Sequence, residues 1–451
     1  MKFIVVLLSF CSALAFSSCK NKNTPDITSE EARELAHEAY IYALASVEHN
    51  KALHAILTQS GANTFIGKPV LYTPEDTVIV SPNNDTYYSS AVLDIRNEPV
   101  IISIPRIRNR YYSIQMLDIF TNCLEYISIS EDGEGPANFM IVREGWAGKY
   151  PDNIQKIITS PASVVLALTR TQVYSPDDEE ARAIFRQYDI TPLSRYIQAN
   201  PPIGEPLSWD REAYDSKSGS IEGFFDMFNY IIQYQNLTEK DRDLIDKYKA
   251  IGIDPGKEYR ASDLPAGIWE AIEKGAGEAR EEIIAAISNR SSDENGWIES
   301  PVNAGRWGDD YFTRAIAAWQ YIYVNFREEA LYYTTYLDQD GNRLNGKDGA
   351  YTLSFSPGQI PAPRYFWSFT LYDEKGHLVN NSIGRYAVNS HTTPLQYGND
   401  GSLVIPIGRE NPDPENRLNW LPAPEGPFYI IARLYGAPDK GYSLPPVIKL
   451  P

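Results

Sequence analysis

Cysteine, histidine and methionine are scarce in this chain: its 451 residues include 3, 5 and 4 of them. Cys11 falls in an N-terminal apolar run and Cys19 just behind it, so Cys123 has no partner for an internal disulfide. Its setting, FTNCLEYISI, reads as that of a buried small residue rather than a nucleophile. His37, His49, His54, His377 and His391 form no HExxH pair, and a zinc site of cysteine and histidine is not expected. Positive charge is also short. Lys and Arg number 41 against 59 Asp and Glu, a net charge of -18, which argues against nucleic acid and anionic headgroups as partners. There is no GxSxG elbow, no phosphate-binding loop, and no dinucleotide GxGxxG behind a strand. No metal or cofactor is expected. Beyond the first 18 residues no apolar run is long enough to cross a bilayer.

What is present starts with MKFIVVLLSFCSALAFSSC. One Lys, an apolar run over 3–16 and small residues before Cys19 make residues 1–18 a secretory signal peptide. FSSC resembles a bacterial lipobox, with Phe16 where Leu is usual. That resemblance implies cleavage before Cys19 and acylation of its thiol and amine. Two or more acyl chains hold a soluble domain on a membrane, since each buried methylene contributes about 0.8 kcal/mol. The alternative is an ordinary signal peptide cut nearby. Residues 19–27 read as a tether. The expected location is the bacterial cell envelope, facing the periplasm, because KNKN after Cys19 has no acidic run.

Three regions follow. In 28–176 a helix opens the fold: Thr28 with Glu31 forms a capping box. Ala32, Leu35, Ala36, Ala39, Tyr40, Ala43, Leu44 and Val47 recur at helical spacing. From Thr77 the pattern turns to short β-rich runs (TVIVS, YYSSAVLDI, PVIISIP, YYSIQMLDIF, CLEYISI, NFMIVREGW, SVVLALT), which predict an antiparallel sandwich or barrel. Residues 177–330 read as mainly helical, with Thr238 and Ser262 as caps. Residues 331–451 return to β, with DQDGN, DEKGH and GNDGS as hairpin turns. DQDG lacks the Gly position and distal Glu of a calcium loop. No internal repeat of fixed period is visible.

Two blocks carry a family resemblance. VSPNNDTYYSSAVLDIRNEPVIISIP with NRYYSIQMLDIFTN, and FSPGQIPAPRYFWSFTLYD with NSIGRYAV and NWLPAPEGPFYIIARLY, resemble a bacterial pair of domains of unknown function, families 1254 (N-terminal) and 1214 (C-terminal). Tyr87 stands where Leu is common, and SISEDGEG departs from the family pattern, so the resemblance gives residues 128–135 no site role. The resemblance implies an α+β fold, with jelly-roll-like β-sandwiches at both ends, a helical middle and often a homo-oligomer. It implies no reaction.

The polar clusters are the candidate sites. Asn83, Asn84 and Asp85 suit a turn behind Pro82, and equally a site of paired amides and a carboxylate. In NRYYSIQMLD, Tyr111, Ser113 and Gln115 share one strand face, and Tyr112 and Asp118 the other. Asp85 and Asp118 form an acid/base pair if they meet, beside Arg110; the bland reading gives Asp118 only Arg110 or a turn amide. In FWSFTLYD, Ser368, Thr370 and Tyr372 form either a wet face or the wall of a cleft. Arg385 and Trp420 add a guanidinium and an aromatic platform. With Asn83, Asn84, Tyr87, Arg110, Tyr112 and Gln115, these are the expected ligand contacts.

The leading expectation is an envelope lipoprotein that binds a polar small molecule or glycan. A hydrolase using Asp, Arg and Tyr groups, and a structural or assembly protein, are the alternatives.

Overall fold

The computed structural model describes residues 27–451 except 78, 392–394 and 438–440. The expected signal peptide, Cys19 and the tether up to residue 26 lie outside the described residues.

Thr28 and Glu31 form the expected capping box on the helix Ser29–Ser60. The expected stripe is buried except for half-buried Leu35, but so are Tyr42, Ala45, Glu48, His49 and Asn50. A helix enclosed on all sides, as this one is over residues 42–50, needs neighbours all round. It therefore packs against Ala266–Ser288, Tyr311–Tyr321 and Ile221–Ile232 rather than serving the β-rich region alone. Small residues let these helices approach closely: a Cβ on Gly275 would come within 2.0 Å of the Arg33 carbonyl oxygen. Thr238 caps Glu239–Tyr248 as expected. Ser262 does not cap a helix. It lies in the 3-10 turn Ala261–Asp263, and Ala266–Ser288 starts behind Pro265, whose fixed φ sets the entry. No helix of the described residues is long and apolar enough to cross a membrane.

Two sandwiches flank the helices. In the first, one sheet runs β1 (Ile66–Gly67), β2 (Thr86–Asp94), β8 (Val164–Gln172), β4 (Tyr112–Leu117), β5 (Cys123–Ser128). Its other sheet runs β7 (Lys156–Ser160), β6 (Ala137–Arg143), β3 (Val100–Ile104), β9 (Asp189–Pro192). Val92, Ile102, Ile114, Phe139 and Leu166 fill the space between them. In the second sandwich the sheets run β10 (Trp297–Glu299), β11 (Ala330–Thr335), β17 (Phe428–Tyr435), β13 (Phe366–Asp373), β14 (Ala387–Asn389), and β16 (Leu421–Pro422), β15 (Leu403–Gly408), β12 (Tyr351–Phe355), β18 (Val447–Lys449). Leu353, Phe369, Ile405, Ile430 and Leu434 fill this core. The class is thus α+β, with sandwiches at both ends and helices between. The strands β9 and β10 come from the stretch read as helical. Both are short and gain their extended form from the edges they pair with, β3 and β11.

The run TVIVS forms no strand among the described residues. Ser81 has φ 53°, a left-handed conformation that no strand continues through. The three hairpin turns form as expected. In DQDGN and DEKGH, Asp338 and Asp373 each accept the amide of the residue four positions on (2.9 and 2.8 Å), with Gly341 and Gly376 at positive φ.

The chain also repeats itself in topology, although its sequence shows no repeat of fixed period. Numbered from each first strand, both sandwiches have the order 1-2-8-4-5 in one sheet and 7-6-3-9 in the other. In both, the 6–7 pairing is parallel and the others are antiparallel. The unequal connections between strands hide the period: β2 and β3 are five residues apart, β11 and β12 fifteen.

Candidate functional site

Strand alternation sends the apolar side chains of each sandwich inward. The opposite faces of the two five-stranded sheets meet each other. Residues directly opposite on paired strands share a face, so register defines one polar row on each sheet. In the first sheet the row is Tyr88, Arg170, Ser113, Ser128. In the second it is Tyr332, Arg433, Ser368, Asn389, on the corresponding four strands.

Three residues before each row tyrosine stands an acid, Asp85 or Glu329, and each reaches into the other sandwich. Asp85 accepts from Ser368 Oγ (2.5 Å) and Asn389 Nδ2 (3.1 Å). Glu329 accepts from the Tyr111 hydroxyl (2.5 Å), which also contacts Ser113 Oγ (3.0 Å). Even the backbones match: Asp85 accepts from Val173 N and Glu329 from Gly436 N, both at 2.9 Å. The two halves thus exchange equivalent groups, as the subunits of a two-fold dimer do.

The surrounding bonds tie the seam. Arg433 donates to Thr370 Oγ1 (3.1 Å) and the Ser81 carbonyl (3.0 Å). Tyr372 donates to the Pro82 carbonyl (2.7 Å), and Asn83 Nδ2 bonds the Tyr435 hydroxyl. Arg170 donates to Gln115 Oε1 (2.9 Å) and the Tyr323 carbonyl (3.3 Å). Tyr111 packs on Tyr435, with ring centroids 4.9 Å apart. Burial raises the Asp85 carboxyl above the usual range, against the pull of Ser368 and Arg433. Burial raises Glu329 to about 7, against the Tyr111 hydrogen bond and Arg170. The seam thus holds two carboxyls that resist ionisation and two guanidiniums. Buried perturbed acids are a mark of functional sites, although structural networks show them too.

Several expected contacts fall here. Asn83, Asp85, Gln115, Ser368, Thr370 and Tyr372 all face the seam. The stretch VSPNNDTYYSS is neither a free turn nor an open cleft; it is the strap joining the sandwiches. Ser368, Thr370 and Tyr372 are 0 % exposed, so their face is not wet. The other expected contacts lie elsewhere. Asn84 donates to the Tyr72 carbonyl (2.7 Å). Tyr87 points to the opposite face, beside Val173, Ala181 and Phe185. Tyr112 lies in the first core and donates to the Gly133 carbonyl (2.5 Å). Arg110 is taken up by Asp178 in a two-bond pair (2.7 and 3.1 Å). Arg385 donates to the Trp420 carbonyl (2.9 Å), and Trp420 Nε1 to the Gly408 carbonyl (3.0 Å), away from the seam.

The acid/base pair is not assembled. Asp118 binds the turn amide of Asn122 (2.8 Å), the Asn122 side chain (3.1 Å) and Gln235 (3.3 Å), and shares no partner with Asp85. Burial raises it to about 6. Cys123 is buried, its thiol raised by burial to about 12. Among the described residues no His, Cys, Asp and Glu cluster suited to a metal occurs.

Tyr88, Arg170, Glu329, Asn389 and Arg433 were not singled out from the sequence. The available signal was a lone Arg inside each apolar strand, VVLALTRTQ and FYIIARLY, since a buried guanidinium must be compensated.

Comparison with known proteins agrees with this division. Residues 62–192, the first sandwich, match the model of a protein of unknown function (DUF1254), and residues 329–439, most of the second, match that of a protein of unknown function (DUF1214). No curated protein matches the chain. The crystal structure of the VPA0106 protein from Vibrio parahaemolyticus has the same fold: TM-score 0.72 at 23% identity over 93% of this chain and 100% of that one. An uncharacterised protein from Burkholderia cenocepacia gives TM-score 0.46 at 12% identity over 93% and 94%. The chain therefore belongs to the proteins that join a DUF1254 domain to a DUF1214 domain.

Proposed function

We propose that this protein is a lipid-anchored protein of the bacterial cell envelope that binds a polar small molecule or glycan in the seam between its two like sandwiches. The observation that carries the binding part is the pair of facing polar rows. Each sheet sends a tyrosine, an arginine and a serine to the same seam, where groups from both sandwiches can close on one ligand. Sites between domains with a few convergent polar groups are where small ligands are usually held. The hydroxyl of half-buried Tyr88 makes no hydrogen bond among the described residues, so this row has a donor and acceptor to offer. The envelope part rests on the apolar leader and Cys19.

A thermal-shift screen of the chain from Lys20, against neutral sugars, polyols, amino acids and organic acids, tests the binding. The expected result is stabilisation by at least one class that Tyr88→Phe weakens. Stabilisation by none would overturn it. Replacing Cys19 by Ala is expected to release the protein from membranes; unchanged fractionation would overturn the anchor.

A second reading has its own support. Asp85 has both carboxylate oxygens engaged across the seam, which suits a clasp that fixes the two sandwiches. A clasp without ligand predicts that Tyr88→Phe changes nothing.

A further inference from the structure

Within that reading, the two arginines define the chemistry of the ligand. A guanidinium carries five N–H donors and is always charged. Arg170 and Arg433 each keep 4 % of their surface, and each gives two hydrogen bonds to the protein. That leaves three donors on Arg170 without a protein acceptor among the described residues, and up to three on Arg433, whose guanidinium also lies beside the Tyr372 hydroxyl. Neither makes an ion pair there. Arg110 shows the contrast: equally buried, it is neutralised by Asp178 and Glu180, and belongs to the scaffold.

The seam carboxyls lie within electrostatic reach of the arginines, Asp85 of Arg433 and Glu329 of Arg170, but among the described residues neither forms an ion pair with them. Asp85 spends its oxygens on Ser368 and Asn389, and Glu329 takes the Tyr111 hydroxyl. The two guanidiniums are also neighbours of the same groups. Both act on Tyr332 from the opposite sandwich and its own, and both have Tyr88 beside them. Tyr88 lies under the Arg170 guanidinium, 5.6 Å from its ring centroid. A buried positive charge with open donors is best satisfied by an anion with planar, two-oxygen geometry, because that geometry matches the guanidinium fork. The repeat supplies the fork twice, once from each half.

We propose that the seam binds a small dicarboxylate, one carboxylate on Arg170 and the other on Arg433, with Tyr88 and Tyr332 flanking it.

The test is calorimetric titration of the chain from Lys20 with malonate, succinate, glutarate and adipate. The matched monocarboxylates and neutral diols serve as controls. The expected result is saturable binding of one chain length, at least about tenfold tighter than its monocarboxylate, since one of two charged forks is lost. Arg170→Lys and Arg433→Lys, which keep the charge but remove the fork, are each expected to weaken it about tenfold. Tyr88→Phe, whose hydroxyl has no protein partner, provides a third variant that spares the scaffold and should also weaken binding. No binding of any dicarboxylate to the unmodified chain overturns the inference, whether or not the variants fold. So does binding that all three variants leave unchanged. If a neutral sugar or diol binds in a Tyr88-dependent way and the dicarboxylates do not, the inference fails but the seam remains a site. If nothing binds, both fail.

Discussion

Replacing Glu329 by Gln isolates the charge stored in the seam. Glu329 is 5 % exposed and its carboxyl lies at about 7 against an ordinary 4.5. Three groups face it besides solvent-poor surroundings: the Tyr111 hydroxyl, which favours the ionised form, Arg170, which does the same, and Glu131, which opposes it. Desolvation outweighs them. The folded chain therefore holds this proton more tightly than the unfolded chain. Between pH 4.5 and 7 the folded state binds more protons, so stability falls as pH rises through that window. The difference of about 2.5 pH units corresponds to about 3 kcal/mol lost by pH 8 relative to pH 4.5, at 1.36 kcal/mol for each unit. Gln keeps the acceptor for Tyr111 and carries no charge. Glu329→Gln is thus expected to leave stability near pH 5 almost unchanged and to raise it at pH 8 by up to about 3 kcal/mol, or about 3 °C in the melting midpoint for a chain of this length. Urea unfolding of both proteins at pH 5, 6, 7 and 8 measures this. Asp85 and Asp118 titrate in both, so the difference between the two curves belongs to Glu329. Parallel curves across the whole range would refute the reasoning.

Other expectations follow from single contacts. Tyr111→Phe removes the hydrogen bond that lowers the Glu329 carboxyl, so the stability loss should move to higher pH than about 7 in the same urea series. Arg110→Ala leaves Asp178 buried without its two-bond partner and should cost about 3 to 5 kcal/mol in urea unfolding; a loss below about 1 kcal/mol would place that pair with weak surface bridges. Cys123, buried and raised to about 12, should resist an aromatic disulfide reagent at pH 8 in the folded chain and react fully in denaturant; rapid labelling of folded protein would contradict its placement.

Much of the local structure was legible because local rules suffice for it. The capping box at Thr28, the turns at Asp338 and Asp373, and the alternation that divides Trp367, Phe369 and Leu371 from Ser368, Thr370 and Tyr372 all depend on residues within a few positions. The same alternation correctly put Ser113 and Gln115 on one face of β4 and Tyr112 on the other. Arg110 and Asp118 misled for the opposite reason. A polar residue in a strand demands a partner, but the sequence does not say which, and their partners proved to be Asp178 and a turn amide.

By itself, then, the amino-acid order determined most of the elements and the in-and-out face of the strands. Only the tertiary structure decided what the polar faces meet. A strand face made of serine, threonine and tyrosine is equally suited to water, to a ligand and to another sheet. Here the second sandwich covers it, so residues far apart in the chain, Asp85 and Ser368, Tyr111 and Glu329, come into hydrogen-bonding range. The repeat behind that pairing survives in strand order and hydrogen-bond register, which tolerate exchanged side chains and unequal loops, and so it had no period for the sequence to display.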